Sequence, residues 1–480
     1  MEASSPKPRR VLGALLKALK WTIGAVLLLI VLVYAINAFD EDLSPEAKAL
    51  LMVPPNPYKP EDNLNLVLLG LDAPEGVSPV AAGEERLAAL KKDLAEATKD
   101  PNHRWPDFYE QKRPKLEFQG KLDFCRPLTG SCLQGVAARK ADIERLVKAN
   151  RELVRRYSQL HDRQGYYDGI ADIAFLPAFA PPGLRQLYLA NVALQVKTGT
   201  RSQQAAALAS LRDDIRTWRL MLTGEGSLIS KMIAVANLQG DFALLADAIA
   251  ERDFDLPAHA SAVRAALEVM KEEDWKISGV QRYEFRFTAN LLEQAKARGD
   301  STWFGVDDEE NRWWNNLLGR ILLPLFKIKA TENLLAKTTM RRIAVANADP
   351  AKLLAAQDTL RKWHEGNLGI GTGIVYNPVG KFILNDASDT YFNYSLRTYD
   401  CAALLRSVRL SYEIRNQKIG DKALPAFMGL HPEWASHPVD GRPFLWDDKK
   451  REIAVQTLGP QPKDRRFYIR VWSAARGARA

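Results

Sequence analysis

The sequence predicts a mainly α protein with an N-terminal transmembrane helix, a multi-helix extracytoplasmic body and a small C-terminal β unit. Three observations predict it. Trp21 to Phe39, WTIGAVLLLIVLVYAINAF, passes nineteen residues without a charge. As a helix at 1.5 Å per residue it spans roughly 28 Å, about the hydrocarbon thickness of a bilayer. Beyond Cys132 apolar residues recur at spacings of three, four and seven, the period of a helix with one buried face. After Gly420 the texture changes to RPFLW, REIAVQT and RFYIRVW, short β-branched or aromatic runs between turn residues, which read as three strands.

The apolar stretch also predicts where the chain lies. Arg9, Arg10, Lys17 and Lys20 precede it, and Asp40, Glu41 and Asp42 follow it. The basic side stays in the cytoplasm. Residues 1–20 are therefore expected to form a cytoplasmic basic tail, 21–39 the transmembrane helix, and the bulk of the chain a periplasmic body on a bacterial inner membrane. A cleaved signal peptide competes for the same stretch, with Val33-Tyr34-Ala35 as its cleavage site. The apolar run is longer than a usual signal core and continues through Ile36, Ala38 and Phe39. The anchor is the reading adopted. The first twenty residues carry five basic groups and one acidic. The rest of the formal charge of +9 is spread too thinly to suggest a nucleic-acid partner. The expected partners are the lipid bilayer, through residues 21–39, and another protein.

Residues 40–63 read as a linker, because PPNPYKPEDN places four prolines in seven residues. Residues 64–420 read as the helical domain. Ser78-Pro79 opens a helix to Lys99, a capping hydroxyl before a first-turn proline. Further helices are expected from Pro257 to Trp275, from Tyr283 to Lys296 and from Asp349-Pro350 to Trp363. Residues 366–385 read as a glycine-rich loop. A long helix from Asp386 to Asn416 follows, with Cys401, Leu404, Leu405, Val408 and Tyr412 on its apolar face. Residues 421–480 form the β-rich unit, with Phe444, Trp446, Val455 and Phe467 as its candidate core. Trp303 to Ile328 is aromatic and apolar, and two readings of it stay open. It is either a core helix or, through Trp313, Trp314, Leu317, Leu318 and Ile321, a surface that meets the bilayer or a partner. Arg312, Arg320, Lys327 and Lys329 argue against a second span.

The C-terminal stretch carries a resemblance. A helix ending in RLSYEIRN, a loop with ALPAF, then HPVDGRPFLWDD and REIAVQTLGP is similar to an ending found in many membrane-anchored bacterial proteins and in some pseudopilins. In these a long helix runs into a DP-x-x-G-x-P-aromatic turn and a small β unit; His437 stands where that pattern usually has an acidic residue. NPVGKFIL, CRPLTGSC and LISKMIA also resemble stretches of an uncharacterised family of single-pass proteobacterial inner-membrane envelope proteins. The resemblance implies the architecture and the location, and it brings no activity. A true pseudopilin would carry a glutamate at the fifth position of its anchor, and this anchor has none.

No catalytic, cofactor-binding or metal-ligating residue is assigned. The six histidines show no H-E-x-x-H pattern. Gly224-Glu225-Gly226-Ser227 lacks the flanking glycines of G-x-S-x-G, so Ser227 reads as a helix cap. Gly369, Gly371, Gly373 and Gly380-Lys381 lack the spacing of a phosphate-binding loop, and Phe382 replaces its Ser or Thr. Cys401 reads as a buried thiol. Cys125 and Cys132 are expected to pair as a disulfide, with Pro127 and Gly130 turning the chain between them. The leading expectation is a non-enzymatic, membrane-anchored interaction or assembly component. A periplasmic hydrolase with acid and base from separate helices and a small-ligand or lipid-binding accessory protein stay open.

Overall fold

The computed structural model describes residues 8–99, 114–122, 124, 131–170, 181, 183–298, 319–368, 375–385, 390–459 and 466–471. They belong to two units. The smaller draws on Met1–Ala49, Leu291–Thr338 and Arg361–Ser388, and the larger on Leu50–Asn290, Thr339–Leu360 and Asp389–Ala480.

In the smaller unit a helix runs from Pro8 to Ile36, and its Leu15–Ile36 portion is long and apolar enough to cross a membrane. From Leu15 to Leu32 every side chain is exposed. Val33 and Tyr34 instead pack against a cluster of Leu292, Leu325, Phe326 and Val379. The acidic residues that follow, read from sequence as a topology signal, also have structural work. Asp40 accepts from the Lys329 and Ala330 backbone N–H groups, both at 3.1 Å, and so caps the Ile328–Ala346 helix. Asn333 donates to Glu41 Oε2 at 3.0 Å and to the Asp42 carbonyl at 2.9 Å. The expected loop at 366–385 contains a helix, Pro378–Asn385. Asn377, at φ 50°, starts it by accepting from Gly380 N–H at 3.2 Å. Gly380 is required there: a Cβ would lie 1.9 Å from Thr331 Oγ1.

The larger unit is built on a helical stack. Leu184–Thr198 packs on Arg201–Thr223, which packs on Leu228–Ala250, which packs on the long helix Thr390–Asn416. Leu228–Ala250 also has the length and apolarity of a membrane span, but it is mostly buried within the unit, and apolarity on all sides is what a central helix needs. Side chains cap the helix starts, at Ser227 and Asp349 as the sequence predicts. Thr200 and Gln203 form a reciprocal capping box, Ser227 accepts from Ser230 N–H, and Asp349 accepts from Ala351 N–H. Arg415 closes the other end of Leu228–Ala250 by donating to the carbonyls of Ile249, Glu251 and Phe254. The segment from Pro257 divides into a helix, Leu256–Leu267, and a separate turn, Glu272–Trp275. Near its start the unit holds a short helix, Leu64–Leu69, with every residue buried. Arg156 fixes the segment after it, donating to the carbonyls of Leu71, Ala73, Pro74 and Val77.

The three expected strands are β1 (Leu445–Asp447), β2 (Glu452–Gln456) and β3 (Arg466–Arg470), an antiparallel meander in the order β1-β2-β3. Val455 pairs with Phe467 and Ile453 with Ile469. All four are buried, so period-two alternation turns these pairs inward, onto Thr390–Asn416. Two expectations for 421–480 need correction. The stretch opens with helices, Leu424–Leu430 and Pro432–Ala435, and Trp446 is half-buried, so the core is made by Phe444, Val455 and Phe467 without it.

Candidate functional site

Helical spacing places Tyr399, Ala402, Leu405, Arg406 and Arg409 along one side of Thr390–Asn416. They form one wall of a cleft of 240 Å³ in the larger unit. Met270, Lys271, Glu272 and Trp275 form a second wall, and Glu433, Trp434 and Pro438 a third. The second wall is held by Asp274, which pairs with Arg219 at 2.6 and 3.0 Å and accepts from Lys271 N–H at 2.8 Å. Thr398 ties it to the long helix by donating to the Trp275 carbonyl at 2.8 Å.

The lining combines indole faces, cations and one unsatisfied hydroxyl. Trp434 stacks on His431 with centroids 4.8 Å apart and an interplanar angle of 10°, and the Arg409 guanidinium lies 5.6 Å from its ring. Arg406 donates to the Ser436 carbonyl at 3.3 Å. Burial lowers the Arg406 pKa, and Glu272 and Glu433 oppose that. Tyr399 is only 2% exposed, and its hydroxyl has no hydrogen-bond partner among the described residues. Burial, reinforced by Glu272 and Asp349, pushes that phenol up to about 12, so it stays a neutral donor. A buried hydroxyl without a partner carries a desolvation cost of about 1–3 kcal/mol. Such a site suits a ligand that presents a carboxylate beside an apolar or aromatic group.

Two other polar clusters lie inside the same unit. Arg185 pairs with Asp241 and reaches Asp214 Oδ2 at 3.3 Å. Tyr157 and Trp218 donate to Asp214 at 2.9 and 3.1 Å. Burial raises Asp241 well above the carboxylate range, with the Arg185 charge opposing. Both carboxylates are fully buried, so this cluster joins four helices rather than facing a ligand. The second cluster centres on Asp168 and Lys231. Asp168 accepts from Ile170 N–H at 3.2 Å and Ser227 N–H at 3.4 Å, and burial pushes it up to about 7. Lys231 donates to the carbonyls of Met221, at 2.8 Å, and Gly224, and burial brings it down to about 8.

The residues singled out from sequence fall as follows. Trp313, Trp314, Leu317 and Leu318 lie outside the described residues, and Ile321 is exposed in the smaller unit. Cys125 lies outside them too, so its pairing with the buried Cys132 does as well; no disulfide joins two cysteines among the described residues. Cys401 is a free, fully buried thiol. Ser227 caps its helix. Among the described residues no group of three His, Cys, Asp or Glu is placed to hold a metal ion. Sequence reasoning missed Tyr399, Arg406, Arg409 and Trp434. The apolar face it chose on the long helix is the buried one, with Cys401, Leu404, Val408 and Tyr412, and of its members only Leu405 lines the cleft. Tyr399, Arg406 and Arg409 keep helical spacing on one side of the long helix, a mix of aromatic and cationic side chains shared with any solvated face, and Trp434 comes from the separate helix Pro432–Ala435. No protein-family model, curated protein or solved structure matches the chain.

Proposed function

We propose that this chain is a single-pass inner-membrane protein whose periplasmic body binds another protein. The cleft beside Tyr399 takes a segment of that partner carrying a carboxylate next to an apolar side chain. The carrying observation is the unsatisfied, nearly fully buried Tyr399 hydroxyl in a lining with Arg406, Arg409 and Trp434. A hydrolase using the cleft carboxylates is favoured less. A general acid in a two-carboxylate mechanism needs a raised pKa. Glu433 moves the other way, lowered by its backbone N–H and then by His431.

The test is co-purification of the full chain from mild detergent, comparing wild type, Arg409→Glu, Tyr399→Phe and the distant surface control Arg151→Glu. A partner retained by wild type and Arg151→Glu, lost with Arg409→Glu and weakened about tenfold with Tyr399→Phe is expected. The Tyr399→Phe loss corresponds to one buried hydrogen bond of about 1.4 kcal/mol. The same partners from all four proteins would reject the cleft as the binding site.

A further inference from the structure

We propose that the smaller unit is seated in the periplasm-facing interface of the inner membrane, with the apolar collar around the end of the N-terminal helix immersed between acyl chains and headgroups. The inference rests on the anchor reading above and adds a second lipid contact to it. The depth follows from counting. Tyr34 lies fourteen residues beyond Lys20, about 21 Å along a helix axis. With Lys20 at the cytoplasmic boundary, a hydrocarbon core of about 30 Å extends some 9 Å beyond Tyr34. Tilting the helix shortens its projection and sets Tyr34 deeper.

What touches Tyr34 therefore shares its depth. Its hydroxyl donates to the Ile321 carbonyl at 2.7 Å, and its ring and Val33 pack on Leu292, Leu325, Phe326 and Val379. Asn37, less than one turn further along, donates to the Val375 carbonyl at 2.6 Å and accepts from Asn377 N–H at 2.8 Å. The side chains of Ile321 and Val375 are 43% and 44% exposed, so the collar presents apolar surface at a depth that holds little water. The Tyr34 hydroxyl, the Asn37 amide and the Ile321 and Val375 carbonyls are paired inside the unit, as lipid requires. Beyond the collar the chemistry changes. Asp40, Asp42 and Lys329 follow, with Lys329 3.7 Å from Asp42, the charged composition of a headgroup layer. On this proposal Ile321 meets lipid, one of the two readings its sequence left open.

The full chain, reconstituted into phospholipid vesicles, carries a bimane fluorophore at Ile321→Cys, Val375→Cys or, as the span control, Leu28→Cys. The first two side chains are exposed, so substitution leaves the packed cluster in place. Cys401 is fully buried, and wild type taken through the same labelling gives the background. Lipids brominated near the headgroup or near the chain end serve as quenchers. Leu28→Cys is expected to respond most to deep bromine. Ile321→Cys and Val375→Cys are expected to lose half or more of their emission with shallow bromine and less with deep. Quenching at Leu28→Cys with none at the two collar positions would overturn the proposal while the anchor stands. Absence of quenching at Leu28→Cys would overturn the anchor, and the collar with it.

Discussion

Asp168 and Lys231 are each buried with a pKa drawn toward neutrality, and the consequence is a pH dependence with a definite sign. The folded pKa of Asp168, about 7, stands above its ordinary 3.8. Between those values the folded state holds a proton that the unfolded chain has released, so this contribution to stability falls as pH rises from about 4 to 7. Lys231, lowered from 10.5 to about 8, works in the opposite sense at higher pH. There the unfolded chain binds the extra proton, and stability rises between about 8 and 10.5. Removing the charge at Asp168 should erase the first slope. Urea titration of Asp168→Asn against wild type is expected to show little difference at pH 4 and a gain on the order of 3 kcal/mol for the variant at pH 8. Parallel curves from pH 4 to 8 would assign the slope to another group. Neither residue is conspicuous in the sequence. Asp168 follows two tyrosines in a segment without period, and Lys231 lies early in an apolar helix where a lysine is ordinarily read as surface.

The long helix Thr390–Asn416 shows which parts of an element a sequence exposes. Its apolar face is legible, because Cys401, Leu404, Val408 and Tyr412 keep helical spacing and all are buried. Its hold on the β unit is not, because that depends on one carboxylate meeting residues far along the chain. Asp400 accepts from Leu458 N–H at 2.7 Å, Gly459 N–H at 3.0 Å and His437 Nε2 at 3.2 Å. The His437 ring is oriented by Val439 N–H, which donates to Nδ1 at 3.2 Å and leaves Nε2 to donate. Thus the histidine that departs from the acidic position of the familiar turn has a buried acid as its partner. Asp400→Ala would strand a buried histidine donor and two backbone donors. It is expected to destabilise the protein by about 3 kcal/mol or more and to raise amide exchange at Leu458 and Gly459 selectively. Unchanged protection at those two amides would show that the β unit is held elsewhere.

At the scale of the molecule, the N-terminal helix, the helical body and the three-stranded meander were legible because each rests on local periodicity or on one uninterrupted apolar run. The smaller unit was not, since it gathers residues 1–49, 291–338 and 361–388, and periodicity carries no information on which distant segments meet. The same gathering bears on whether the N-terminal helix is kept. Cleavage after Ala35 would remove Val33 and Tyr34 from the cluster with Phe326 and delete the Tyr34 bond to Ile321. It would also leave a new charged N-terminus within two residues of the buried Asn37. Retention avoids all three losses. With the helix retained, the basic residues before it predict one orientation, with those residues in the cytoplasm. Alkaline phosphatase, which matures only where disulfides form, is therefore expected to be active when fused after Asn63 and inactive when fused after Lys20. The reverse pattern would invert the orientation. A mature chain lacking its first 35 residues, read by intact mass, would show that the helix is a signal peptide and that the smaller unit closes without it.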